Sequence, residues 1–261
     1  VARRAERKEE IRERVIRAPK ATNSVLVCGL PGSGYVGKLA ADHLVSAFKL
    51  KKVAEYTSES FPPQVNVRAD GTVEETKGEL YFGQAAKGKD LFVFTADAQP
   101  ATSDGEYELS DAVIKRVKKC GVEKVYALAA YITGSFSASP KVYGAATSRA
   151  MSDSISQMGV NLMKDGRISG MNGLLIGMAA LRGLEGACLL GETSGFVVDA
   201  GASKSVLEVL SKAVEFPIDT SKLNEKAEET QKVISQLQAM SEQSQETTPQ
   251  PRREARPGYI G

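Results

Sequence analysis

Short apolar runs that alternate with helical patterns constrain this chain more than any other feature. SVLVCG (24–29), DLFVFTAD (90–97), KVYALAAYITG (124–134) and GACLL (186–190) carry almost no polar side chain. Strands of this kind are buried on both faces. Between them lie residues with helical periodicity, at Val36–Phe48, about Tyr107–Cys120, Ser148–Met158, Gly173–Leu181 and Ala202–Val214. The alternation predicts an α/β chain folded as a three-layer α/β/α sandwich around a mostly parallel sheet. A further strand is expected at KKVAEYTSE (51–59), and an antiparallel hairpin around Asp70-Gly71, a dipeptide suited to positive φ.

This sandwich is expected over residues 21–218, followed by a helix over 219–240 and a flexible tail over 241–261. In the helix, Leu223, Ala227, Thr230, Ile234 and Leu237 recur at alternating four- and three-residue steps. That spacing suits an intersubunit seam and equally a helix lying on its own domain. The tail is rich in Gln, Glu, Ser, Thr, Pro and Arg, a composition that does not build a core. At the other end, residues 1–20 hold eight Lys and Arg against four Asp and Glu and read as a charged, solvated helical arm.

Composition matters mainly for what it excludes. One histidine, three cysteines and no tryptophan in 261 residues leave little material for a metal centre or a histidine-based triad, so no metal, cofactor or catalytic residue is expected. Cys28, Cys120 and Cys188 share no short spacing, which suits a reducing cytoplasm. His43 falls on the apolar stripe of its helix and is expected to pack there. The longest apolar tract, between Arg167 and Arg182, is interrupted by glycines and too short to cross a bilayer. A net charge of +2 gives no reason to expect nucleic acid.

The loop GLPGSGYVGK invites two readings. Gly32, Gly34 and Gly37 satisfy G-x-G-x-x-G, and Gly32 to Lys38 satisfies G-x-x-x-x-G-K. Leu39, however, stands where a phosphate loop needs Ser or Thr. Backbone N–H groups and Lys38 could hold an anion, with Glu192 and Thr193 facing them from the end of another strand. The same glycines also suit a tight turn and close packing. Both readings stay open, and with the first comes the alternative of a small-molecule or nucleotide-binding protein. Nine of the 24 glycines lie between Gly166 and Gly201, a concentration that marks close backbone approach or a ligand-facing rim.

Four longer stretches go further: GLPGSGYVGKLAADHL, FPPQVNV with its hairpin, ITGSFSASPKVYGAAT, and ISGMNGLLIGMAALRGLEGACLLGETSG with FVVDAGASKSVLEVL behind it. Across about residues 20–240 they resemble the proteasome assembly chaperone family in its single-chain archaeal or bacterial form. The resemblance implies a phosphorylase-like sandwich, a homo-oligomer built in part through C-terminal helices, and a non-catalytic chaperone docking on the α-subunits of the proteasome core particle. It also implies docking by a C-terminal tail with a tyrosine second from the end. Here the chain closes with Tyr259, Ile260 and Gly261, so the tyrosine is third from the end.

Overall fold

The computed structural model describes residues 11–228. In chain order the elements are β1 (Arg12–Val15), β2 (Ser24–Gly29), a 3-10 turn (Ser33–Tyr35), α1 (Val36–Ala47), β3 (Lys51–Thr57), β4 (Val65–Val67), β5 (Val73–Glu75), β6 (Gly78–Ala86), β7 (Lys89–Ala96) and α2 (Ser103–Lys119). They continue with β8 (Val122–Ile132), β9 (Val142–Ala146), α3 (Arg149–Gln157), β10 (Asn161–Leu162), α4 (Met171–Leu181), β11 (Glu185–Thr193) and α5 (Ala200–Val214). Residues 221–228 are helical.

Nine strands form one sheet in the order β1-β3-β6-β7-β2-β8-β11-β9-β10. The period-two alternation of the central strands sorts their side chains into two cores. Leu26, Cys28, Phe92, Phe94, Val125 and Ala127 face α2 and α4, whereas Val27, Leu91, Val93, Tyr126 and Leu128 face α1, α3 and α5. The expected three-layer sandwich is therefore observed.

The pairing differs from expectation in one respect. The central strands β7, β2, β8 and β11 are parallel neighbours, but β1, β3, β6 and β7 pair antiparallel, as do β11 and β9. The sheet is mixed rather than mostly parallel. One cause is a second hairpin: Ala86 pairs with Lys89, and Gly88 turns the chain at φ 71°. A two-residue connection can only make antiparallel neighbours. The hairpin expected at Asp70-Gly71 is present as β4 and β5, a separate two-stranded sheet.

Residues 12–15 correct a second expectation, because they form a strand and not a helix. Their charges find partners far away in sequence. Glu13 accepts from Arg116 at 2.7 and 2.6 Å and from the Tyr56 hydroxyl at 3.0 Å, and Arg14 pairs with Glu55. Residues 1–10 lie outside the described residues. His43 is a third correction. It is only partly covered, and its Nε2 sits 2.6 Å from the carbonyl oxygen of Asp219, linking α1 to the start of the C-terminal helix.

One face of the β1-β3-β6 region carries a ladder of ion pairs. Lys52 Nζ lies 2.6 Å from both Glu55 and Glu79, and Lys77 lies 2.7 Å from Glu74 and 3.8 Å from Glu55. Burial by itself would raise the Glu55 carboxyl, but hydrogen bonds from Lys52 and Arg14 outweigh it and hold the group below its ordinary value of 4.5. Glu79 is lowered in the same way, burial opposing and Lys52 and Tyr81 prevailing. A carboxylate lowered by folding contributes stability that is complete above its unfolded value and disappears as pH falls through the folded one. Urea unfolding should therefore show stability falling below about pH 4.5. Glu55→Gln should be less stable at neutral pH by about 1 kcal/mol and show a shallower acid slope.

Candidate functional site

The carboxyl ends of β2, β8 and β11 meet at one rim, where open α/β sheets place their ligands. After β2 the chain must turn at once into α1, and α1 must cross β8 closely. Glycine makes this possible. A Cβ on Gly29 would lie 2.0 Å from the Gly37 carbonyl oxygen, and one on Gly37 would lie 2.1 Å from that of Leu128. Gly34 adopts φ 60° in the 3-10 turn and has Thr193 Oγ1 where its Cβ would come within 2.9 Å.

The residues expected to hold an anion are thus placed in several different settings. Gly34 and Thr193 come together, but as a packed joint. The Thr193 hydroxyl donates to Asp199 Oδ2 at 2.8 Å, Asp199 Oδ1 accepts from the Ala202 N–H at 2.9 Å, and the Asp199 N–H donates to the Gly34 carbonyl at 2.8 Å. Thr193 is 1% exposed, leaving no room beside it for a ligand. Lys38 lies along its own helix and pairs with Asp42 at 2.8 Å. Glu192 accepts from the Lys141 N–H at 3.0 Å. Gly32 and Gly37 alone of the set line an open cleft of about 560 Å³ between the α1 and α4 termini.

Around the rim stand apolar side chains that periodicity could not reveal, because all but Ile132, the last residue of β8, lie in turns and loops. Tyr35, Ile132, Phe136, Phe196 and Val198 are all substantially exposed, Phe196 at 80%. Backbone bonds from Thr133 to Thr193 and from Asp199 to Gly34 tie their loops together. Beside them a groove of about 440 Å³ runs between Phe136, Pro140, Lys204 and Ala227. Of the seam residues, Leu223 is buried in the core shared with Val206, Leu207 and Leu210, and Ala227 packs against it. Lys204 fastens this helix by a 2.8 Å bond to Asn224. Thr230, Ile234 and Leu237 lie outside the described residues, as do Tyr259, Ile260 and Gly261.

Among the described residues no group of His, Cys, Asp and Glu could hold a metal ion, and no helix is long and apolar enough to cross a membrane. The three cysteines are free and buried, and burial pushes the Cys188 thiol up to about 12.

The architecture can now be set beside known proteins. The model of the PAC2 family matches residues 26–238. This chain belongs to the PAC2 family. The uncharacterized protein MJ1210 of Methanocaldococcus jannaschii is 35% identical over 222 residues, covering 85% of each chain. Among solved structures, PbaB of Pyrococcus furiosus, described as an archaeal proteasome activator, superposes with a TM-score of 0.81 at 32% identity over 88% of this chain and 99% of its own. PbaA of the same organism, described as an archaeal homolog of proteasome-assembly chaperone, gives 0.73 at 26% identity over 90% and 94%. The PAC2-family match spans the whole sheet from β2 onward, so the rim and the cleft both belong to the shared fold.

Proposed function

We propose that this PAC2-family chain is a non-catalytic, cytoplasmic homo-oligomer that docks on the α-ring of the proteasome core particle as an assembly chaperone or activator. The observation that carries this reading is the near-complete overlap with the archaeal activator PbaB, at 32% identity over 99% of that chain. Two features of the chain suit it. The rim of Tyr35, Ile132, Phe136, Phe196 and Val198 is an exposed apolar surface of the kind that marks protein contacts. Tyr259 and Ile260 offer adjacent aromatic and aliphatic side chains, a chemistry that an apolar pocket accepts. Several tails on one oligomer act at high effective concentration, so that individually weak contacts add to a stable attachment.

Co-purification with assembled proteasome α-rings, read with intact-complex mass, tests partner and stoichiometry together. Deleting residues 256–261 should weaken capture by about tenfold or more, as expected when avidity is lost. Capture unchanged by the deletion would sink the tail role and move docking to the apolar rim. No capture of α-rings by the full chain would sink the reading itself.

A further inference from the structure

The cleft between the N-termini of α1 and α4 holds a polar group with nothing to bond. Asn172, in the first turn of α4, is 8% exposed, lines the cleft, and its Oδ1 is buried without a hydrogen-bond donor. A buried acceptor left without a donor is costly and uncommon in native structures. The surroundings are built rather than incidental. Gln99 spans the two helix entrances, donating to the Pro31 carbonyl at 2.7 Å and accepting from the Met171 N–H at 3.0 Å. Gly170, which precedes α4, has no side chain to cap the helix, and the Gln99 amide oxygen caps it in its place.

The charges lining the cleft decide what it fits. Among its lining residues two are charged, Glu106 in the first turn of α2 and Arg167 in the loop before α4. Neither makes an ion pair or side-chain hydrogen bond among the described residues. One unpaired acid and one unpaired base in the same lining suit a molecule carrying one charge of each sign, and are poorly matched to the several negative charges of a nucleotide. The rest of the lining sets apolar Leu30, Ile132, Met163, Ile168 and Leu190 beside a few neutral polar groups, among them Ser33 and Ser169. A volume of about 560 Å³ is within the range of small-molecule sites.

We infer that this cleft binds a small zwitterion of the amino-acid type with an apolar side chain. Its carboxylate meets Arg167, its ammonium meets Glu106 and, once the Asn172 amide turns into the cleft, that residue's oxygen, and its side chain lies on the apolar side chains of the lining. Burial pushes the Glu106 carboxyl up, and an arriving ammonium relieves that penalty. The site shares Ile132 with the proposed docking rim, but ligand binding and α-ring capture are read by separate experiments, so the two readings fail separately.

Calorimetric titration of the full chain with L-leucine tests it. Saturable one-site binding is expected. 4-Methylpentanoate, which lacks the ammonium, and 3-methylbutylamine, which lacks the carboxylate, should each bind about tenfold more weakly or worse, the size of a lost charge-assisted hydrogen bond. Arg167→Ala and Glu106→Gln should each produce the same loss. Both side chains are at least partly exposed, so these variants keep the fold where Asn172→Leu could lose it. Leucylglycine, titrated in parallel, separates a free amino acid from a peptide amino end, and binding of either supports the site. No saturable heat with either probe would overturn the inference. So would leucine affinity unaltered in both variants, or AMP binding as tightly as leucine and weakened by the same substitutions.

Discussion

Gly37→Ala should lower the thermal unfolding midpoint by roughly 6–12 °C, corresponding to about 3 kcal/mol in a domain of this size. The added Cβ would stand 2.1 Å from the Leu128 carbonyl oxygen, and backbone cannot rotate aside as the end of a side chain can. Relief requires α1 to move off the sheet. That motion opens the interface holding Val36, Ala40, Ala41 and Leu44 against Val27 and Leu128, all buried. Gly29→Ala presses on the same crossing from the other side, 2.0 Å from the Gly37 carbonyl oxygen. Once α1 has been displaced by one substitution the other should add little, so the double variant should be more stable than the sum of the singles predicts. Gly177→Ala in α4 is the control. Its Cβ would meet nothing within 4 Å, and replacing a helical glycine should stabilise by about 0.5–1 kcal/mol. Differential scanning calorimetry on the four variants reads all of these outcomes, and an unaltered midpoint for Gly37→Ala would contradict the packing account.

Asp199→Ala should reduce stability to urea by about 2–4 kcal/mol, through two losses at one side chain. The carboxylate caps α5 at Ala202, and removing such a cap costs about 1 kcal/mol. It also accepts the Thr193 hydroxyl, which is 1% exposed and would be left unpaired at a cost of about 1–3 kcal/mol. Asp199→Asn keeps an oxygen for each role in turn but not both at full strength, and should lose less than half as much. The same joint carries the loop that displays Phe196 and Val198. Docking through the rim should therefore weaken in Asp199→Ala at temperatures where the domain is still folded.

The central strands were legible because burial on both faces forbids polar residues, which marks β2, β7, β8 and β11 without reference to the rest of the chain. β9 left no such mark. Its Val142–Ala146 run is short and contains Gly144, whose Cβ would meet Val160 at 2.7 Å and the Cys188 carbonyl at 2.9 Å. Small residues chosen for close approach do not look like strand residues. β1 was hidden for the opposite reason, since neighbouring Arg and Glu mimic helical ion pairing while their true partners, Glu55 and Arg116, lie far along the chain. The glycine loop was located correctly at the strand end, but only the three-dimensional crossing at Leu128 shows that close packing accounts for Gly29 and Gly37. Asn172 had a weak local signal, a lone amide at the head of the apolar run Met171–Leu181. Its meaning depends on Gln99, Glu106 and Arg167, which sequence spacing cannot bring together.

Both margins of the large sheet are blunt. At one end is β1, four residues long with every side chain exposed, three of them charged, and at the other is β10, only two residues long. Neither offers the long apolar edge that templates a neighbouring strand. In the proposed role, where the chain would sit beside partly assembled subunits, such short edges would disfavour joining them by strand addition. In that role its contacts would fall to side chains on the rim and helices, where they could be released.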